Sequence, residues 1–349
     1  MATFLTRALH LTPITPPPRV LPRPATPTER PRYLPERRGR HQPSNPGDRQ
    51  RNSRELHLRR GRRRRGQGGV ITFACGPNPI TIPMTATAKI VNNTGPVIVL
   101  DGGGLVTLSG MGQRRVLYMN TCDAAQVWTT SHCNDQDHPR LTVQNLTFVQ
   151  GNSSSHGTEA DAGGRAIWIR GGRFKLVNTR FFDNRCATTG PDTAGGAVQV
   201  FDQYHDLPVY ITNSTFGAPG HGNACSNGGA LGSIGVSMTL TNSLLTDNRA
   251  TGWGANPAEP GTPGGGNGGA IANDGNLFTL TLLDTVIQDN VANEGGGGVF
   301  FVSNNRTGHL VITDSTLRRN ASLGFETSGY PGIFYLGSGP PIVTRSTIS

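Results

Sequence analysis

The chain has 349 residues and a formal net charge of +10, but the positive charge is confined to one end. Residues 1–66 hold 17 Arg, no Lys and 4 acidic residues, whereas the rest of the chain holds 15 basic and 18 acidic groups. A basic nucleic-acid-binding body is thereby excluded, and no apolar run approaches the ~18 residues of a membrane-spanning helix.

Residues 1–66 also carry 11 of the 25 prolines. With so much Pro and like charge the segment is expected to be a disordered tail, unable to bury enough apolar surface to offset chain entropy. The stretch Met1 to His10 is weakly apolar and is soon interrupted by Pro13, so no export signal is visible. Arg, Pro and Gly without Lys (only Lys89 and Lys175 occur in the chain) is what a GC-rich frame gives when read out of register. Much of 1–66 is therefore expected to be a gene-model artefact. An Arg tail can neutralise phosphates, but this one lacks interleaved aromatics, which argues against a nucleic-acid partner.

From residue 67 onward a two-part repeat takes over. A Gly-rich step recurs as Gly163-Gly164-Arg165-Ala166-Ile167, Gly195-Gly196-Ala197-Val198, Gly228-Gly229-Ala230-Leu231, Gly268-Gly269-Ala270-Ile271 and Gly297-Gly298-Val299-Phe300. Alternating segments with a common ending intervene, such as Leu141 to Phe148, Val209 to Phe216 and Leu280 to Ile287, with a last copy from Ile342 to Ile348. Their Asn/Asp positions, Asn145, Asn178, Asn213, Asn242, Asp284 and Asp314, are 33, 35, 29, 42 and 30 residues apart. A fixed motif on a drifting period means constant strands joined by variable loops, and the period-two alternation reads as strand.

One such unit cannot shield its apolar side, but successive units stacked in parallel make one continuous core. The fold class expected is all-β: a right-handed, single-stranded parallel β-helix over 67–349, with the six Asn/Asp residues stacked as a structural ladder at one corner. Thr179, Ser214, Ser243, Thr285, Ser315 and Ser346 form the next column. A second Asn, at Asn184, Asn248, Asn290 and Asn320, is expected to close the following turn. Because Ser349 falls in the middle of a repeat, the natural chain is expected to continue.

The Gly-Gly-Ala step paired with an apolar residue three before Asn resembles the repeats of chlamydial polymorphic outer-membrane proteins. Ile98-Val-Leu-Asp101-Gly-Gly-Gly104 and the preceding Gly-Gly-Val70-Ile-Thr-Phe-Ala-Cys-Gly76 resemble the first coils of pectin-lyase-like β-helices. The likeness spans about 67–349 and implies a fold shared by lyases, hydrolases, adhesins and binding proteins alike.

Cys122 and Cys133 bracket a polar insertion as a disulfide-closed loop would, and Cys186 with Cys225 is the second candidate pair, leaving Cys75 without a mate. In the loop before Val209, Asp202, His205 and Asp206 are candidate general acid/base groups, with Tyr204 or Trp168 as a sugar platform; an ordinary solvated loop would carry the same residues. His132, Asp135, Asp137 and His138 match no established metal spacing, so no metal site is assigned. Asp183, Asp247 and Asp289 precede the second Asn column, where stacked carboxylates suit Ca²⁺, the one ion expected if any; Arg319 in the next copy points instead to surface charge. Gly264-Gly-Gly-Asn-Gly-Gly269 lacks the Lys-Ser/Thr of a phosphate loop and reads as a flexible connection.

Function is expected to be that of a secreted or cell-surface adhesin or carbohydrate-binding scaffold. It would contact extracellular polysaccharide, or a host or neighbouring cell surface, through variable loops such as 251–267. The alternative is a polysaccharide lyase or glycoside hydrolase of the pectin-lyase-like superfamily.

Overall fold

The structure, a computed structural model, describes residues 68–92, 96–125, 128–152 and 163–349. The Arg-rich tail, and the expectations of disorder, artefact and nucleic-acid contact attached to it, lie outside the described residues. What is described is a parallel β-helix. An eight-stranded wall runs through Ala88–Ile90, Leu117–Asn120, Ile167–Arg170, Val198–Phe201, Leu231–Ile234, Ile271–Gly275, Val299–Ser303 and Ile333–Leu336. A sixteen-stranded sheet forks from the long strands Val97–Ser109 and Arg140–Val149 into two further walls. One includes Val209–Thr212, Met238–Thr241 and Thr279–Leu283; the other includes Thr215–Phe216, Leu244–Thr246 and Val286–Gln288. A narrow four-stranded strip, Ala224–Cys225, Arg249–Ala250, Val291–Ala292 and Ala321–Ser322, completes the circuit.

The alternation sets the burial. Val209, Met238, Leu280 and Leu310 stack in register, as do Ile211, Leu240, Leu282 and Ile312, all fully buried. Their neighbours Tyr210, Thr239, Thr281 and Val311 face outward. Parallel stacking thus brings like side chains together from coil to coil. Phe148, Phe181 and Phe216 make an internal aromatic column with centroids 5.1 and 4.7 Å apart and nearly parallel rings.

Corners use residues that tolerate a left-handed backbone. Asn145, Asn178, Asn213, Asn242, Asp284 and Asp314 all have φ between 46° and 53°, the region where Asn and Asp are the favoured non-glycine residues. Arg345 occupies the same corner in the last coil, and its guanidinium bonds Asp314 at 2.6 and 2.8 Å. This column is not one continuous ladder. Side-chain hydrogen bonds join Asp101, Asn145 and Asn178, and separately Asn213 and Asn242.

The continuous amide ladder is the second Asn column, which sequence reasoning assigned to turn closure. Asn184, Asn223, Asn248 and Asn290 each donate Nδ2 to the Oδ1 of the next, ending at Asn320, at 2.8 to 2.9 Å. Each Nδ2 also reaches a main-chain carbonyl, of Phe148, Phe181, Phe216 or Leu245. Asn223 falls outside the common spacing because six residues, 217–222, separate it from Phe216 where the other coils have two. The hydroxyl column Thr179, Ser214, Ser243, Thr285, Ser315 and Ser346 is buried beside the first corner, with amide-to-hydroxyl bonds such as Ser214 N to Ser243 Oγ at 3.2 Å.

The Gly-rich step has a register one residue different from the sequence alignment in its first and last copies. Ile167, Val198, Leu231, Ile271 and Val299 are paired, which aligns Arg165 with Gly196, Gly229, Gly269 and Gly297. Gly268 holds φ +70°, and the next glycine lies where adjacent coils meet backbone to backbone.

Asp101 begins the first corner column and gives it a pH dependence. Burial alone would push its carboxyl up. Hydrogen bonds from Asn145 Nδ2 (2.9 Å), Gln144 Nε2 (2.8 Å) and the Gly103 amide (2.9 Å) outweigh this and hold it below the usual carboxylate range. Since the folded carboxyl ionises at lower pH than the unfolded one, its stabilisation is complete above about pH 4 and is lost as pH falls through the folded value. Asp101→Asn is expected to cost about 1 kcal/mol at neutral pH, with the gap to wild type closing in strong acid. Denaturant midpoints at the two pH values check this; an equal gap at both would show that ionisation contributes nothing.

Candidate binding site

Two clusters that are separate in sequence meet in space. Cys122 and Cys133 are joined, with Cα atoms 5.1 Å apart, and the chain continues into a 3-10 turn, Cys133–Asp135. The loop after Val198–Phe201 makes a second such turn, Tyr204–Asp206, with Asp202, His205 and Asp206 all at positive φ. The His205 amide donates to Asp135 Oδ1 at 2.6 Å, and its ring Nε2 lies 3.7 Å from Asp135 Oδ2. Arg173 Nε is 2.6 Å from Asp137 Oδ1, and Arg140 pairs with the same carboxylate. Arg170 donates to Asn134 Oδ1 at 2.9 Å and sits 3.6 Å from Asp202 Oδ2.

The expected catalytic trio is therefore split between partners: Asp202 faces Arg170 and His205 faces Asp135. Burial pushes the Asp202 carboxyl up, Arg170 pulls it back and Asp206 raises it again. Tyr204 is engaged by the His205 ring at 3.9 Å between centroids and by the Arg173 guanidinium at 5.1 Å. Trp168 is only 2 % exposed, packed between Tyr118 and Phe201 with ring centroids 5.1 and 5.3 Å away. A sugar ring has no access to its face, so the platform role expected of it is replaced by a packing one. The loop pair is a charge-matched network in which the carboxylates of Asp135, Asp137 and Asp202 already face cations or histidine.

Among the described residues no group of three or more His, Cys, Asp or Glu side chains is arranged to hold a metal ion. The aspartates expected to stack have separate partners. Asp183 meets His221 Nδ1 at 2.9 Å, Asp247 accepts from the Gly220 amide at 2.7 Å, and Asp289 is held in a fork by Arg319 at 2.6 and 2.8 Å. The hydrogen bond from Arg319 holds the Asp289 carboxyl below its ordinary range.

A second region was not anticipated. On the outward face of the eight-stranded wall, a small recess of about 30 Å³ has Ala272, Ile234 and Phe300 in its lining. Asp192, Asp274 and Asn267 contribute polar groups. Its wall is the loop after Cys186, which is joined to Cys225 with Cα atoms 4.8 Å apart. Asn227 Nδ2 donates to the Pro191 carbonyl at 2.9 Å, and Ser226 Oγ to the Gly190 carbonyl at 2.8 Å. The loop 251–267 is fastened to the same wall by the Gly190 amide to the Gly264 carbonyl, 3.3 Å, and carries Trp253, 55 % exposed and bridged to Gly264.

One signal for this recess was available. Counting four residues on from Ala166, Ala197, Ala230, Ala270 and Gly298 gives the outward strand positions Arg170, Phe201, Ile234, Asp274 and Val302, where a lone carboxylate stands between apolar residues. Asp192 and Asn267 come from loops of irregular length, and no spacing rule ties them to Asp274. Among the described residues no helix is long and apolar enough to cross a membrane. No protein-family model, no curated protein and no solved structure matches this chain.

Proposed function

We propose that this chain is a secreted or cell-surface β-helix that binds glycan at the recess over Ile271–Gly275, as an adhesin or carbohydrate-binding scaffold. The observation that carries the reading is the recess lined by Asp192, Asn267 and Asp274 beside the irregular loop 251–267, which carries the exposed Trp253. Sugars present an apolar C–H face and a hydroxylated edge, and such a surface meets both. The motif likeness to pectin-lyase-like and chlamydial surface repeats supports the setting, as do the two disulfides, which persist in oxidising compartments. Replacing 251–267 by a short Gly-Ser turn is expected to abolish retention on a panel of immobilised polysaccharides while far-UV circular dichroism stays unchanged. Undiminished retention would remove the recess from the account.

A second reading, glycoside hydrolysis at the same recess, is favoured by one observation. Asp192 and Asp274 both line the recess, and burial, with the negative charge of Asp192 adding to it, pushes the Asp274 carboxyl up, as suits a general acid. Release of reducing ends from the same panel, lost in Asp274→Asn, would establish it; unsaturated ends would mark a lyase instead.

A further inference from the structure

We propose that the Cys122–Cys133 disulfide is a redox-controlled latch: it keeps Asp137 seated on the arginine pair Arg140 and Arg173, and its reduction uncovers that pair as an anion site. The two disulfides differ in access. Cys186 and Cys225 are 8 % and 1 % exposed, whereas Cys122 and Cys133 are both half-buried beside the exposed residues of their loop. An external thiol therefore reaches Cys122–Cys133 first, and exposed disulfides are the labile ones.

Arg140 and Arg173 stand opposite one another on neighbouring coils. Like charges so placed repel, and Asp137 is the carboxylate they share: Arg173 Nε lies 2.6 Å from its Oδ1, and Arg140 pairs with its Oδ2. The same short strap, 133–137, offers Asn134 Oδ1 to Arg170 at 2.9 Å and Asp135 Oδ1 to the His205 amide at 2.6 Å. The ion pairs do not hold the strap by themselves. The side chains of Arg140, Arg173 and Asp137 are 45, 40 and 28 % exposed, and pairs so open to water contribute little. One end of the strap runs into the strand Arg140–Val149; the other is tied covalently at Cys133, whose carbonyl also accepts from Thr121 Oγ1 at 2.5 Å. Cys133 is the end that a reductant can release.

The step balances with a dithiol as reductant. One of its thiolates attacks a sulfur of the bridge, a mixed disulfide forms, and the other cysteine leaves as thiolate. The second thiol of the reductant then closes the reductant's own disulfide, and Cys122 and Cys133 end as thiols carrying the two protons. Once Cys133 is free, withdrawal of Asp137 leaves two guanidinium groups side by side, a fork that suits an oxyanion. Asp135 leaves His205 in the same movement, so the 202–206 loop loosens with the strap. The segment 187–194, which starts beside the sealed Cys186–Cys225 bridge, keeps its place.

The test compares the oxidised full chain with the same chain after mild dithiol treatment, by peptide-mapped mass spectrometry. Cysteine alkylation reports the bridges, with the free Cys75 as internal reference. An arginine-specific dicarbonyl reports Arg140 and Arg173, and mapping by peptide keeps the arginines of 1–66 out of the reading. Expected are alkylation of Cys122 and Cys133 with Cys186 and Cys225 untouched, and several-fold faster modification of Arg140 and Arg173. Inorganic sulfate should slow that modification again, and amide exchange in 202–206 should quicken. Asp137→Asn should speed arginine modification with the bridge intact. Cys122→Ser with Cys133→Ser should reproduce the reduced state without dithiol; if that pair misfolds, reduction of the native chain decides. Alkylation of Cys122 and Cys133 with unchanged arginine modification would overturn the latch. Alkylation of all four cysteines at one rate, or of none, would overturn the difference in access. Sulfate that gives no protection would overturn the anion site.

Discussion

Asn248→Ala is expected to destabilise the fold by about 3–5 kcal/mol, because it strips several buried groups of their partners at once. Asn248 is 0 % exposed in the middle of the amide ladder. Its Oδ1 accepts from both the main-chain amide and the Nδ2 of Asn223. Its Nδ2 donates to Asn290 Oδ1 and to the Phe216 and Thr246 carbonyls. Truncation orphans donors on one coil and acceptors on the next, and leaves a cavity between them. Asn248→Asp keeps the shape but loses the donor and sets its carboxylate against Asn290 Oδ1, so it should be nearly as damaging. Asn242→Ala, at the exposed first corner, loses one hydrogen bond to Asn213 and is expected to cost only about 1 kcal/mol. Denaturant midpoints of the three variants check the order. Equal losses at Asn242 and Asn248 would show that burial does not decide which ladder holds the stack.

Gly229→Ala is expected to cost on the order of 3 kcal/mol for the opposite reason, overpacking. A Cβ at Gly229 would lie 2.5 Å from the Arg249 nitrogen and 2.7 Å from the Arg249 carbonyl oxygen, and closer still to the Gly269 carbonyl oxygen of the next coil. All three obstacles are backbone, so no side chain can rotate away; the coils themselves must separate. Gly112→Ala provides the contrast. Its φ is +67°, but nothing lies within 4 Å of the new methyl, so only the left-handed backbone penalty remains, about 1 kcal/mol. Thermal denaturation of the two variants separates close approach from backbone strain. A midpoint for Gly229→Ala no lower than for Gly112→Ala would show that the Gly-Gly-Ala step is not there to let coils touch.

These two variants also mark how much was legible in the sequence. Strand alternation and a motif that persists while its spacing drifts imply parallel stacking from burial alone, and the structure has that architecture. The corner residues Asn145 to Asp314 were legible because few residue types accept a left-handed backbone. The buried ladder was harder to see. Asn223 is pushed out of alignment by four inserted residues, and nothing local tells a turn-closing Asn from one whose amide bonds run between coils. The one-residue offset at Arg165 has a related cause, since a Gly-Gly pair can be aligned in two ways until strand register decides.

The candidate sites follow the same division. Residues within a loop, such as Asp202 to Asp206, were visible as a cluster, but their partners were not. Asp135 lies seventy residues earlier in the chain and reaches His205 only because both loops leave the same side of the stack. Trp168, expected as a sugar platform, is covered by the rings of Tyr118 and Phe201 on the neighbouring strands. The recess joins Asp192, Asn267 and Asp274 from two loops and a strand, and only tertiary structure brings such residues together.

The measurement that bears most directly on the central claim is hydrogen–deuterium exchange of the full chain, with and without the oligosaccharide that binds best. The account predicts slowed exchange in peptides covering 190–194, 251–267 and 271–275, with the 132–138 and 202–206 loops unchanged. Protection confined to those two loops, or absent from the outward face of the eight-stranded wall, would contradict it.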